Sequence, residues 1–247
     1  MIVEAFVRAT QSAGTYARAS GVAAEQAAIV GRYLRCRRAW RSHLENCRAF
    51  VRAACEVTYR RQRAVVLGSG PLLDIPLAAL ASSFREVILV DAVHPLHTRV
   101  LAWRLGNVVA MPLSLVAVDG DRLDYRSWRP AIGAADLIVA SMLLSQLPPP
   151  RALTDGVSWP RALIEGGLAD LEAGDETLCL ITETTRRIER PGAPSRHEDP
   201  LHGVRAPPAR ERWEWQLAPA GERSDGVRIA LGVAACLRLG GDDTWAT

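Results

Sequence analysis

The residue types best suited to chemistry begin at a glycine turn. Gly68, Ser69, Gly70 and Pro71 directly follow a short apolar run at 64–67 and precede a segment with helical character. Glycine allows a tight turn, and it lacks the Cβ that would keep the backbone away from a ligand. The first amides of a following helix can then bind polar ligand atoms. The turn therefore predicts a site for a nucleotide-containing ligand.

A carboxylate lies at the end of the next apolar run. Asp91 follows the run at 86–90, at roughly the 20-residue spacing from the glycine turn that nucleotide-binding units show. At the tip of a parallel strand it can accept both hydroxyl hydrogens of a ribose. The alternative is a solvated aspartate that merely ends a strand. Leu73 replaces the third glycine of the G-x-G-x-x-G pattern, which argues against NAD or FAD.

The surrounding pattern alternates between strands and helices. We expect strands at 64–67, 86–90, 113–118, 136–140 and 176–182, with helices at 72–83, 96–105 and 160–171 between them. Such alternation is typical of an α/β fold with three layers and a mostly parallel, Rossmann-like sheet. Two further strands, at 213–218 and 227–237, have no helix between them and should form an antiparallel hairpin, which makes seven strands.

The two ends of the chain differ from this core. Residues 1–60 are predicted to form a helical extension, with helices at 22–38 and 42–59, the second capped by Ser42. Residues 61–247 form the predicted ligand-binding domain. Residues 184–212 are rich in Pro, Gly, Arg and His and are interpreted as a long loop that could act as a lid.

Four sequence stretches resemble motifs of the class I S-adenosylmethionine-dependent methyltransferases. They are VVLGSGPLLD (the first motif), VILVDAVHP (the acidic second strand), VDGDRLDY (the third-strand motif) and ADLIVASMLLSQLP (the fourth strand). The resemblance covers roughly residues 60–240. Val66 and Leu72 depart from the first motif, in which an acidic residue and a third glycine are common. The Gly-Ser-Gly-Pro-Leu stretch is also similar to nicotianamine synthases, which use the same cofactor and fold.

This resemblance implies a set of cofactor-binding residues. The glycine turn would line the methionine part of S-adenosyl-L-methionine, and Asp91 with the adjoining Ala92 would hold the ribose. The adenine amino group would bond to Asp121, or to Asp119 if the register differs, beside Gly120. Ser141 would face the cofactor after the fourth strand.

Methyl transfer requires few catalytic side chains, because the sulfonium is already activated and the protein mainly aligns the reactants. His94 and His43 are weak candidates for a base, and each has a structural alternative: His94 could cap a helix, and His43 could pack beside Trp40. Asp74 is interpreted as a carboxylate in the first turn of the helix at 72–83. His197 and His202 lie in the predicted loop, and no metal site is expected.

Charge is unevenly distributed along the chain. Ten arginines and two glutamates lie between Arg32 and Arg63, a net charge of +8 in a chain whose total is +3. This segment is either a solvated helix face, which we favour, or a surface for RNA or an acidic partner. The five cysteines show no zinc spacing, and neither a signal peptide nor a membrane span is evident. We therefore expect a cytoplasmic protein without membrane partners.

Together these features predict an S-adenosyl-L-methionine-dependent methyltransferase whose acceptor is unknown, with a small molecule favoured over RNA. Two alternatives stay open. One is a protein of the same fold that binds the cofactor without catalysis. The other is transfer of the aminocarboxypropyl group, as in nicotianamine synthases.

Overall fold

The computed structural model describes residues 12–13, 21–119, 122–148, 159–241 and 244–246. Its helices are α1 (Val22–Val57), α2 (Leu77–Ser83), α3 (Leu96–Leu105), α4 (Arg129–Ile132) and α5 (Trp159–Glu172). Its strands are β1 (Ser12–Ala13), β2 (Arg63–Leu67), β3 (Glu86–Asp91), β4 (Val93–His94), β5 (Val108–Pro112), β6 (Val116–Asp119), β7 (Arg122–Tyr125), β8 (Leu137–Ser141), β9 (Thr177–Glu189), β10 (Arg196–Glu198), β11 (Glu211–Ala218), β12 (Arg228–Arg238) and β13 (Trp245–Ala246).

The main sheet has the strand order β5-β3-β2-β8-β9-β12-β11. The first five strands in this order are parallel to their neighbours, whereas β12 runs antiparallel to both β9 and β11. Strands β10 and β13 add short antiparallel pairings to β9 and β12. The predicted Rossmann-like α/β fold, with its C-terminal antiparallel pair, is confirmed.

The parallel strands are apolar because helices cover both of their faces. Side chains such as Val66, Leu89 and Val139 belong to a core shared with α1 and α2. Alternate residues, such as Val65 and Ile138, belong to a second core shared with α4 and α5. A strand buried on both faces needs a continuous apolar run, and this is the pattern that the sequence shows at each parallel strand.

The order of the strands determines where a ligand could bind. From β2 the chain moves outward through β3 to β5, and it then returns to the other side of β2 to form β8. At such a reversal the loops after two neighbouring strands leave in opposite directions and open a crevice at their carboxyl ends. The glycine turn follows β2 directly, so it lies at this crevice.

The N-terminal helices differ from the prediction. A single helix of 36 residues, α1, replaces the two expected helices, so Ser42 lies inside it and caps nothing. The helix continues because its middle is anchored: Trp40 is buried, and its indole N–H donates to the carbonyl of Leu217 at 3.1 Å. The buried side of α1 belongs to the same core as the sheet. A separate extension at 1–60 stays a prediction.

The third parallel strand was predicted wrongly at 113–118. It is β5, whose Val108 and Val109 pair with β3. Residues from Val116 onward instead form a separate two-stranded ribbon of β6 and β7. Both stretches are apolar and short, and only pairing with β3 distinguishes them. The helix expected at 72–83 is also shorter, because Pro76 fixes the backbone just before α2 begins at Leu77.

The expected long loop at 184–212 contains strands. Strand β9 continues to Glu189, with Ile188 paired to Ile229 of β12 and to Arg196 of β10. Residues 184–189 of this strand are mostly polar, and their side chains are half-buried or exposed. This part of β9 lies beyond Ile181, which pairs with Ser141 at the end of β8, so β9 projects past the carboxyl end of its parallel neighbour.

Candidate functional site

The glycine turn has the backbone that its sequence predicts. Gly68 and Gly70 adopt φ values of 68° and 43°, a region that side chains with a Cβ rarely occupy. The amides of Gly68 and Ser69 both donate to the carbonyl of Val90, at 2.9 and 3.2 Å. These two bonds join the turn after β2 to the end of β3.

Asp91 lies against the glycine turn. Its Oδ2 accepts the N–H of Gly70 at 2.8 Å, and its Oδ1 accepts the N–H of Val93 at 3.0 Å. Desolvation raises the pKa of this carboxyl to about 6, although the N–H donors of Val93, Gly70 and Gln26 act in the opposite direction. The structure therefore brings together the two elements on which the predicted cofactor site depends.

A residue that the sequence analysis did not single out completes this arrangement. Gln26, near the beginning of α1, donates from Nε2 to Oδ1 of Asp91 at 3.0 Å. An ideal Cβ on Gly70 would lie 3.6 Å from this Nε2 and 3.8 Å from Oδ2 of Asp91. The side chain of Gln26 thus occupies space directly beside both elements. No local signal identifies it, because the contact spans 65 residues.

His94 is buried beneath the same turn. Its Nε2 lies 3.3 Å from Oγ of Ser69, and both side chains are 2% exposed. Burial lowers the pKa of His94 to about 4, so the imidazole is neutral at neutral pH. The backbone of Val93 and His94 also pairs with Ser12 and Ala13. These contacts suit a residue that supports the turn, and they give the predicted base no exposed face.

The ends of β2 and β8 are linked through a buried carboxyl. Ser141, predicted to face the cofactor, donates its hydroxyl to Oδ2 of Asp74. Burial raises the pKa of Asp74, while the hydrogen bond from Ser141 and the charge of Arg48 lower it. Asp74 precedes α2 rather than lying in its first turn, which corrects the expectation from sequence. Arg48 also donates to the carbonyl of Leu73.

A further buried carboxyl lies at the level where the parallel strands end. Glu183 of β9 is 5% exposed; it accepts from Ser145 at 2.7 Å and from Arg186 at 3.1 Å. The sequence analysis missed it because the fifth strand was expected to end at 182. The available signal was an acidic residue directly after a buried apolar run, which is the same pattern that identified Asp91.

The residues predicted to hold adenine are only partly described. Gly120 and Asp121 lie outside the described residues, and Asp119 is described as the backbone end of β6, opposite Arg122. Ala92 follows Asp91 between β3 and β4. The roles of these residues therefore stay predictions.

His43 lies elsewhere in the molecule. It stacks on Trp215 of β11, with ring centroids 4.0 Å apart and an interplanar angle of 4°, and its Nδ1 accepts the indole N–H of Trp213 at 3.0 Å. Burial lowers its pKa to about 3. Strand β11 is four positions from β2 in the sheet, roughly 19 Å at a strand spacing of about 4.8 Å. Trp213 and Trp215 thus pack against α1.

A hollow of about 470 Å³ lies at the projecting part of β9, where β10, β11 and β12 also contribute to its lining. Gly232 shapes it, because a Cβ there would lie 2.4 Å from Oγ1 of Thr185. Its polar lining includes Arg187, His197 and Arg212, beside the indole of Trp213. His197, expected in a loop, belongs to β10, whereas His202 lies in a turn with φ 50°.

Many arginines of the basic segment are occupied by partners in the protein. Arg32 and Arg35 pair with Glu222, which the hydrogen bond from Arg35 holds at a lowered pKa. Arg41 pairs with Glu45 and Arg63 with Glu86. Arg37, Arg38, Arg52 and Arg60 are exposed. The free charge on this surface is therefore smaller than the sequence count implies.

Among the described residues, no group of three metal-ligating side chains is found, and the five cysteines are buried free thiols. The described helices include none that combines the length and the apolar character needed to cross a membrane.

No protein-family model and no curated protein sequence matches the chain. Among solved structures, one similar chain is the 1,6-didemethyltoxoflavin-N1-methyltransferase of Burkholderia thailandensis, solved with bound 1,6-didemethyltoxoflavin and S-adenosylhomocysteine. The two share 16% identity over 91% of each chain, with a TM-score of 0.41. At this similarity, neither the activity nor the ligands of that enzyme carry over to the present chain.

Proposed function

We propose that the protein is an S-adenosyl-L-methionine-dependent methyltransferase that acts on a small-molecule acceptor. The observation that carries this proposal is the contact between Gly70 and Asp91 at the carboxyl ends of neighbouring parallel strands. It supplies a turn without side chains and, beside it, an acceptor for sugar hydroxyls.

The described residues fit an adenosyl group. A Cβ on Gly70 would lie 3.8 Å from Oδ2 of Asp91, so the glycine adds no side chain of its own beside the carboxylate that would bind the cofactor's sugar. Asp91 holds and orients that sugar through its ionised carboxylate, and Gly68, Ser69 and Pro71 line the methionine part. The bound cofactor supplies an activated methyl group. Ala92 is proposed to adjoin the ribose beside Asp91, and Asp119, Gly120 and Asp121 to hold the adenine end.

The chain's contribution to the reaction is mainly alignment. The buried Asp74–Ser141 pair and the Glu183–Ser145 pair fix the loops after β2 and β8. Fixed loops hold an acceptor atom in line with the methyl carbon, which can supply a large part of the rate enhancement. The hollow beside Gly232 is our candidate for the remote part of the acceptor, since its lining of arginine, histidine, threonine and glutamate side chains suits a polar molecule.

Binding of the cofactor tests this proposal directly. Isothermal titration with S-adenosyl-L-homocysteine should show saturable binding to the wild-type chain, and Asp91→Ala should remove it. Asp225→Ala is the matched control, because Asp225 pairs with Arg223 on the exposed turn between β11 and β12. Equal affinities in the wild-type and Asp91→Ala proteins would refute the site.

A second experiment separates catalysis from binding alone. A broad acceptor screen uses cofactor labelled with tritium in the methyl group, in parallel with cofactor labelled with ¹⁴C in the aminocarboxypropyl group. Transfer of tritium supports a methyltransferase, and transfer of ¹⁴C supports the nicotianamine-synthase-like alternative. Binding without either transfer supports the non-catalytic alternative.

A further inference from the structure

The beginning of α1 contacts the carboxylate that is proposed to bind ribose. Gln26 Nε2 donates to Oδ1 of Asp91 at 3.0 Å and lies beside the backbone of Gly70. A second contact ties the preceding part of the chain to the same place, because Ser12 and Ala13 pair with the strand directly after Asp91. Two separate N-terminal elements therefore meet the chain at the tip of β3.

The hydrogen-bonding capacity of Asp91 is almost filled by the protein itself. An ionised carboxylate offers about four lone-pair positions. At Oδ1, the N–H groups of Val93 and Gln26 take two of them, and at Oδ2 the N–H of Gly70 takes a third. The backbone N–H of Ala92 also acts on this carboxylate, so at most one position is left, whereas the two adjacent hydroxyls of a ribose require two. The backbone donors are fixed by the turn, so only Gln26 can give up its position.

We propose that Gln26 stands in for a ribose hydroxyl and that an adenosyl ligand displaces it. This inference rests on the proposed function. The beginning of α1 is then an autoinhibitory clasp, defined by the hydrogen bond between Gln26 and Asp91, and cofactor binding requires that it open.

Two features make the clasp weak enough to open. The carbonyl oxygen of Gln26, Oε1, is buried and has no hydrogen-bond partner among the described residues. A buried acceptor left unsatisfied offsets much of the gain from the bond that Nε2 makes. In addition, Gly21 caps α1 without a side-chain hydrogen bond, so the first turn of the helix lacks the stabilisation that a serine or aspartate cap provides.

The affinity of Gln26 variants for S-adenosyl-L-homocysteine tests the clasp. If Gln26 competes with the ribose, Gln26→Ala should bind about three- to tenfold more tightly than the wild type, the gain expected when one competing hydrogen bond is removed. Gln26→Met, which keeps the bulk and loses the amide, should also bind more tightly and covers the case in which the alanine variant folds poorly. Gln62→Ala, at the opposite end of β2, is the matched control.

Hydrogen exchange gives a readout that does not depend on catalysis. In the wild-type protein, saturating S-adenosyl-L-homocysteine should increase amide exchange in the first two turns of α1, because the clasp opens. Increased protection there would overturn the proposal. So would a weaker affinity in both Gln26 variants, which would indicate that Gln26 contacts the ligand, or an unchanged affinity, which would indicate that it plays no part.

The two proposals fail in different ways. If the wild-type chain binds no S-adenosyl-L-homocysteine and both Gln26 variants bind none either, the proposed function is wrong. If it binds and Asp91→Ala removes binding, but neither Gln26 variant binds more tightly, the function stands and only the clasp is wrong.

Discussion

An ideal Cβ on Gly68 would lie 2.9 Å from Cδ1 of Leu143, in the loop after the neighbouring strand β8. The turn after β2 and the loop after β8 are therefore packed against each other without room for a methyl group. This close approach makes glycine necessary here for packing as well as for backbone conformation.

Replacing Gly68 by alanine should destabilise the protein more than the same change in a turn where no other atom lies near the added methyl group. Gly68→Ala adds a steric overlap to an unfavourable φ, and we expect a loss of about 2–4 kcal/mol in the free energy of unfolding. Gly221→Ala, with φ 83° and no atom within 4 Å, should lose only about 1 kcal/mol. Urea denaturation measures both. Equal losses would contradict the packing argument, and Leu143→Ala should partly restore the Gly68→Ala variant.

The affinity for S-adenosyl-L-homocysteine should fall in acid. Ribose hydroxyls donate to the ionised carboxylate of Asp91, whose pKa is raised to about 6 before the ligand binds. At pH 5 most of this carboxyl is protonated, so we expect about tenfold weaker binding than at pH 7.5. Titration calorimetry at both pH values checks this. His94 contributes little over the range because its pKa is about 4. A pH-independent affinity would show that Asp91 does not hold the sugar.

Stability should also depend on pH through His43. Its pKa falls from 6.5 to about 3 on folding, so the unfolded chain binds the extra proton between these values. His43 therefore gives the free energy of unfolding a slope of at most about 1.4 kcal/mol per pH unit below pH 6.5, with stability lost as pH drops. His94, whose pKa falls to about 4, adds a slope of its own in the same direction. His43→Phe keeps an aromatic ring against Trp215 and should lose the part of the slope that His43 contributes.

The control for His43 is Trp213→Phe, which removes the indole donor and leaves the histidine in place. That variant should keep the wild-type slope between pH 6 and 5 in urea denaturation. A wild-type slope in His43→Phe as well would show that other groups cause the acid sensitivity.

The basic face of α1 should bind RNA weakly. Arg32, Arg35, Arg41 and Arg63 already form ion pairs within the protein, which leaves fewer cations to release counterions from a nucleic acid. We expect no saturable binding of a fluorescent single-stranded RNA at 150 mM salt. Submicromolar binding that weakens steeply with salt, and that is lost in an Arg38→Glu, Arg52→Glu variant, would instead favour an RNA acceptor.

The sequence allowed prediction of features that depend on short-range pattern. About ten residues of surrounding sequence were enough to identify the buried runs, the glycine turn and Asp91. Strand burial and turn geometry restrict residue type locally. The same reasoning could not choose between 108–112 and 113–118 as the third strand. Both stretches are short and apolar, and only pairing with β3 decides between them.

Contacts between distant segments were beyond local pattern. Gln26 reaches Asp91 only because α1 packs across the sheet, and Asp74 meets Ser141 only because β2 and β8 are neighbours. The interpretation of His43 as a candidate base had the same limit. Histidine near tryptophan suits a binding surface or a core equally well, and the packing of α1 on β11 places it in the core.

Leu72 and Met142 hold φ values of 58° and 54°, a left-handed conformation that glycine adopts freely and aliphatic residues do not. Each follows a strand that borders the crevice. Both side chains are also buried in the core that α1 shares with the sheet, so their packing maintains a strained backbone beside the crevice. Glycine at either position would relax the backbone but leave a cavity, so we expect Leu72→Gly and Met142→Gly to lower the melting temperature.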